Sequence, residues 1–181
     1  MDFFTADTHL GHANIIKYCS RPFTHVDVMN KTIIQNWNKI VSPTDTVYHL
    51  GDFGFGSRDW LDSIADALNG KRFILKGNHD RTVPRGFQLL SPIYEFKAFD
   101  EEMDEMQTIV LCHYPLQSWN KAYHGSWHLH GHCHGTLSSP DNMARLDVGV
   151  DTNGFTPISY DTIKEIMTKK ALNRASSNSA R

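Results

Sequence analysis

The chain is short of the features on which secreted and membrane proteins rely. Its three cysteines, Cys19, Cys112 and Cys133, are odd in number and lack framework spacing. That argues against a disulfide scaffold and for reduced thiols in a reducing compartment. No apolar run approaches the roughly 18–20 residues that span a bilayer. The N-terminus opens on strand-like Asp2-Phe3-Phe4 rather than on a basic region followed by an apolar segment. The expectation is therefore a cytoplasmic protein without a leader. Charge of one sign is lacking too: a formal net charge of −2 gives no global basic field for nucleic acid. Repeats and dividing linkers are also absent. At 181 residues the reading is a single domain over 1–172, followed by a small, polar, flexible tail over 173–181.

What the chain does have is a recurring pattern. Five times a short apolar run ends in a residue that can bind a metal. Phe3-Phe4-Thr5-Ala6 leads into Asp7-Thr8-His9, Val47-Tyr48-His49-Leu50 into Gly51-Asp52, and Phe73-Ile74-Leu75-Lys76 into Gly77-Asn78-His79-Asp80. Ile109-Val110-Leu111-Cys112 leads into His113, and Trp127-His128-Leu129-His130 into Gly131-His132-Cys133-His134. Such runs, cut by a glycine or a polar turn, read as buried strands. In α/β folds the ligand crevice lies beyond the carboxyl ends of the strands.

Between these runs the spacing predicts a short helix within Gly11–Cys19, with Arg21-Pro22-Phe23 as a break. A second helix is predicted over Val26–Ile40, and a third over Asp59–Leu68 with Ser57 as N-cap. The order strand, helix, strand predicts parallel neighbours through a right-handed crossover. Ile93–Phe99 and Gln107–Cys112 read as a hairpin around the acidic turn Asp100–Asp104. Arg145–Val150 reads as a late strand and Ser159–Leu172 as a final helix.

Residues i and i+2 of an extended segment face the same way, so Asp7 and His9, or His132 and His134, can reach one ion together. With Asp52, Asn78 and His113 this makes seven oxygen and nitrogen donors and no evident thiolate. A tetrahedral structural zinc site closes with four ligands and favours cysteine. Seven mixed donors suit two borderline divalent ions, with Mn as first expectation and Fe, Zn, Ni or Co as alternatives. Two such ions roughly 3.5–4 Å apart make a nucleophile from water and stabilise the attacking and leaving oxygens of an in-line displacement at phosphorus.

Singly these motifs are common by chance, but as an ordered set the chain resembles the calcineurin-like metallophosphoesterase superfamily. Its signature is Asp-x-His, Gly-Asp, Gly-Asn-His-Asp/Glu, a lone His and Gly-His-x-His, and all five blocks lie in order over residues 7–134. The small, uncapped bacterial and phage members are the most similar in appearance. The resemblance implies an α/β fold of two facing mixed β-sheets flanked by helices, a four-layer sandwich. It also implies a first metal on Asp7, His9 and His134, a second on Asn78, His113 and His132, and Asp52 bridging both. His79 matches the family's non-ligand histidine, which contacts the phosphoryl group and can protonate the leaving oxygen. The implied activity is hydrolysis of phosphate esters by metal-bridging hydroxide, with Asp52 and His79 as the catalytic pair. The second block, Gly51-Asp52-Phe53-Gly54, lacks the downstream Asp-Arg of phosphoprotein phosphatases, so a small phosphodiester or nucleotide is the expected substrate. The alternatives are a nuclease, for which nucleic acid is a partner only as substrate, and a catalytically silent metal-binding scaffold.

Several residues admit two readings. His12 either touches substrate phosphate or caps the following helix, and Arg81 either clamps a phosphate oxygen or pairs with a neighbour. Asp80 orients His79 or caps a helix. His25, His49 and His124 read as ordinary core or surface histidines, and His128 and His130 as packing or supporting residues. Cys112 and Cys133 read as buried thiols turned from the ions. Tyr114, Trp119, Tyr123 and Trp127 read as loop and core anchors, with a nucleobase-stacking platform as the sharper alternative.

Overall fold

A computed structural model describes residues 1–100, 104–137 and 143–179, with side-chain surroundings given for all of these except 100 and 172–179. Among these residues, nine strands form two mixed sheets. In the first, β1 (Asp2–Thr5), β2 (Thr46–His49), β3 (Lys71–Ile74) and β4 (Phe87–Leu89) are parallel. An antiparallel β9 (Ile158–Ser159) completes it, in the order β4-β3-β2-β1-β9. The second sheet has the order β5-β6-β7-β8. Its β5 (Ile93–Asp100) and β6 (Glu105–Cys112) form the predicted hairpin, and β7 (Trp127–His130) and β8 (Arg145–Asp147) follow in parallel to β6. Glu101 and Glu102 of the acidic run lie outside the described residues.

The helices are α1 (Ile15–Tyr18), α2 (Val26–Ile40), α3 (Arg58–Asp66) and α4 (Tyr160–Ser179). Met29, Ile33 and Trp37 recur along one face of α2 and are buried against the first sheet with Leu61 and Ala65 of α3 and Phe3 and Val47 of the strands. Ser57 caps α3, its hydroxyl accepting from Trp60 N–H. His25 caps α2 in the same manner through Nδ1, accepting from Asp27 N–H. A second core fills the space between the sheets: Phe4, Leu50, Leu75, Ile109, Leu111 and Leu129 meet there, closed by Ile163 and Met167 of α4. The strands facing both ways explain their near-continuous apolar runs. Among the described residues, no helix is long and apolar enough to cross a membrane.

The structure departs from the sequence reading at several places. The strand expected over Arg145–Val150 ends at Asp147, where Gly149 turns the chain into a helical turn over Val150–Thr152. The helix α4 does not stop at Leu172 but continues to Ser179, replacing the expected tail over most of its length. No Pro or Gly interrupts 160–179, so propagation has nothing to break it. β4 and β9 were not expected; with three and two residues, they owe their conformation to the sheet they extend rather than to any pattern of their own.

Candidate metal centre

Every parallel strand but β4 ends at the same rim, and each delivers a polar residue there. Asp7 and His9 follow β1, Asp52 follows β2, and Asn78 and His79 follow β3. His113 follows β6, and His132 and His134 follow β7. The side chains converge in two groups. Ligand-capable atoms of Asp7, His9 and His134 lie within 4.8 Å of one another, as do those of Asp52, His113 and His132. The Asp52 carboxylate stands between them, its Oδ2 at 3.6 Å from His9 Nε2 and 3.5 Å from His113 Nε2. Asn78 Oδ1 is 3.1 Å from the same His113 nitrogen.

The local backbone is not extended, as the i, i+2 argument assumed. Asp7, His9, Asp52, His132 and His134 all have positive φ, from 47° to 70°. Left-handed backbone is uncommon for non-glycine residues and clusters at functional sites. These turns fold the segment after each strand back over the sheet rim, so i and i+2 still converge, by tight curling rather than by pleat alternation. Glycines make room for the carboxylates: a Cβ on Gly77 would sit 2.2 Å from Asp52 Oδ1 and one on Gly131 2.6 Å from Asp7 Oδ2.

Backbone and side-chain partners aim the donors. Asp52 Oδ1 accepts from His79 N–H at 2.9 Å, and Asp7 Oδ2 from His132 N–H at 2.8 Å. His113 Nδ1 lies 2.8 Å from Leu50 C=O and donates to it, which fixes the ring with Nε2 turned toward Asn78 and Asp52. The Asp80 carboxylate accepts from Asp52, Phe53 and Gly77 N–H at 2.6–2.9 Å. It therefore neither orients His79 nor caps a helix, but locks the Gly51-Asp52 turn to the Gly77–Asp80 turn.

Electrostatics fit a cation. Asp7 is wholly buried, its Oδ1 has no hydrogen-bond partner among the described residues, and burial pushes its carboxyl up to about 7. Both ring nitrogens of buried His9 are also without partners, and burial pushes the imidazole down to about 3. Burial raises Asp52 as well, but the His113 ring and the His79 N–H outweigh it and hold the carboxyl at about 2. A buried acid, a buried neutral imidazole and orphaned donor atoms facing one point are what a divalent ion would satisfy.

Two supporting residues escaped the sequence reading. His134 Nδ1 is held by Asp151 Oδ2 at 2.7 Å, and Arg21 grips both Asp151 oxygens at 2.8 Å. Arg21 also donates to the Asp7 and Thr8 carbonyls at 2.7 and 3.1 Å, fixing that turn from behind. Asp151 lies just beyond β8, where the strand-end rule would have found it. Arg21 carries no such signal, since its partner is 130 positions away. Cys19 forms a third close group with His134 and Asp151, a thiol beside the site that the sequence reading did not anticipate.

The remaining candidates divide. The His12 ring lies in the site, 4.3 Å from the Phe55 ring and 6.5 Å from His79, and does not cap α1, whose N-cap Asn14 makes no side-chain bond. Arg81 is exposed, and among the described residues it makes no ion pair and no side-chain hydrogen bond to the site. His49 is buried 3.0 Å from Thr8 Oγ1, and His128 donates from Nδ1 to the Val110 carbonyl while its Nε2 accepts from Leu116 N–H. Of the four aromatics, Trp119 packs on His128, Trp127 on Tyr160 and Tyr123 is exposed, while Tyr114 abuts the candidate ligands edge-on to His113 and His132. Cys112 is buried and Cys133 half-buried, and neither joins a ligand group.

No family model matches the chain. It is 28% identical over 198 residues to the gene 66 protein of Mycobacterium phage D29, covering 91% of this chain and 94% of that protein. The crystal structure of the protein of unknown function AQ665 from Aquifex aeolicus has the same fold, with a TM-score of 0.69 and 24% identity over 92% of this chain and 98% of that one. The uncharacterized protein MJ1445 of Methanocaldococcus jannaschii is 33% identical over 175 residues, covering 92% of this chain and 91% of that protein. Identity at that level over nearly the whole of both chains means that this protein belongs to the family of MJ1445.

Proposed function

We propose that the protein is a dinuclear metal-dependent phosphoesterase acting on a small phosphodiester or nucleotide. One observation carries the reading: a single carboxylate oxygen, Asp52 Oδ2, lies about equally far from His9 and His113, one from each of two ligand groups. Divalent cations held by Asp7, His9 and His134, and by Asn78, His113 and His132, would ionise a water and neutralise charge on a phosphoryl group.

The protein's own residues supply the rest. Asp52 joins the two groups, and Asp80 holds it there through the backbone of the Gly51-Asp52 turn. His132, Asn78 and His79 are exposed, so the mouth of the site is open to a substrate, while buried Asp7, His9, Asp52 and His113 form its floor. The His79 ring faces His9 across 5.6 Å between centroids. From there it can give a proton to a departing oxygen without serving as a ligand. His12, stacked on Phe55, presents a second imidazole on the same side.

The test is a metal-exchange panel. Apoprotein is loaded with Mn, Fe, Zn, Ni, Co or Mg and offered an aryl phosphate, a bis-aryl phosphate, cyclic nucleotides and oligonucleotides. Hydrolysis of the diester or cyclic nucleotide with Mn is expected. Two bound metals per chain without turnover of any substrate would overturn the reading in favour of a silent scaffold.

A further inference from the structure

The strand β5 is an edge of the second sheet, and nothing among the described residues pairs with its outer side. An open groove of about 1240 Å³ runs beside it, walled by Phe96–Phe99 on one side and by Tyr160 and Lys164 of α4 on the other. The hairpin also overhangs its sheet. β5 and β6 pair from Ile93↔Cys112 to Asp100↔Glu105, whereas β7 joins β6 only at Ile109–Leu111. Beyond Ile109 the ribbon is two strands wide, and its last pair but one, Phe99 and Met106, is exposed and apolar. Two-stranded ribbons are marginal alone, and long bare edges invite pairing unless blunted by proline, bulge or repelling charge.

The residues of β5 alternate. Ile93, Glu95, Lys97 and Phe99 are exposed on one face, while Tyr94, Phe96 and Ala98 are half-buried on the other. This face is self-complementary about Phe96 and about no neighbouring residue. An antiparallel twofold pairing centred on Phe96 puts Glu95 opposite the partner's Lys97 and Ile93 opposite the partner's Phe99. Centring on Glu95 or Lys97 sets like charges face to face. Centring on Tyr94 or Ala98 sets a charge against an apolar side chain. Asn120 Nδ2 donates to both Glu95 oxygens at 3.0 and 2.9 Å, which holds that carboxylate on the outer face.

We propose that two copies of this chain associate through antiparallel β5 edges, with Phe96 on the twofold axis, into one continuous eight-stranded sheet. The contact is isologous, so it closes at two chains. Opposite charges and apolar pairs directly across an antiparallel ladder both stabilise it.

Sedimentation equilibrium of the full chain tests this, with far-UV circular dichroism to verify folding of each variant. The chain as it stands is expected at twice its 20.6 kDa mass. Glu95→Lys and Lys97→Glu each place like charges across the axis twice, and each is expected to weaken association by about 10-fold or more. The exchange variant Glu95→Lys/Lys97→Glu restores opposite pairs and is expected to recover association to within about 3-fold of the original. A monomer at every concentration up to about 200 μM would overturn the proposal. So would a dimer indifferent to the single changes, or an exchange variant no tighter than either single one.

Discussion

At the scale of the residue, Asp52 and His79 make opposite predictions although the His79 N–H donates to the Asp52 carboxylate. Asp52 touches both ligand groups, so Asp52→Asn is expected to lower metal content from two per chain to one or none and to abolish hydrolysis. Metal analysis after gel filtration reads this directly. The His79 ring is exposed and belongs to neither group. His79→Ala is expected to keep both metals and to lower turnover by roughly 10²–10⁴, the usual worth of proton donation by a positioned group. Loss of metal from His79→Ala would show that the residue is a ligand and that its assigned role is wrong. The donors themselves were legible residue by residue, because each follows an apolar run that could be read as a strand. Arg21 was not, since a buried guanidinium looks like any surface arginine until the chain folds and brings Asp151 to it.

At the scale of the element, the loops after β2 and β3 act as one unit through Asp80. Asp80→Ala would strand the N–H groups of Asp52, Phe53 and Gly77, all accepted by that one carboxylate. Leaving buried donors unmet costs about 1–3 kcal/mol each, less whatever water recovers. A loss of about 3 kcal/mol in urea denaturation of the metal-free protein is expected. Metal affinity should fall as well, by roughly 10–100-fold, the scale seen when supports of metal ligands are removed. Asp80→Asn, which keeps one acceptor oxygen, should be milder on both counts. Helix α2 and the β5–β6 hairpin could be read from their own periodicity. The left-handed turns could not, because Asp-Thr-His and His-Cys-His carry no mark of positive φ; the turn after β1 is held by contacts distant in sequence, Asp7 N–H to Gly51 C=O and His9 N–H to Asp52 C=O.

At the scale of the whole molecule, buried titratable groups set how the metal-free protein responds to acid. Burial pushes His9 and His49 down to about 3 and His128 to about 4. Between those values and the ordinary 6.5 the unfolded chain takes up protons at three histidines that the folded chain refuses. Asp7, pushed up to about 7 by burial, acts in the other direction and favours the folded state below that pH. His12, His130 and His132 are lowered by burial as well, while Asp80, His113 and His134 are raised and act with Asp7. The three deeply lowered histidines dominate and leave the unfolded chain binding more protons, so stability falls as pH drops from 6.5 toward 4. A loss of about 3 kcal/mol across that window is expected from urea midpoints measured in chelator. A flat profile would mean that these imidazoles are solvated. Manganese should steepen the dependence, because it binds Asp7 ionised and His9 neutral and protons displace it from both.

The curled backbone beneath the donors sets durability against metal binding. Left-handed conformation costs an L-residue about 1–2 kcal/mol, and five ligand positions adopt it. His132, with φ 70° and an exposed ring, loses little packing if shortened. A His132→Gly chain should melt, in chelator, no lower than its parent, while gripping one ion fewer. A chain relieved of such a turn would outlast its parent and hold less metal, so the same backbone that gathers the donors limits the resilience of the empty protein.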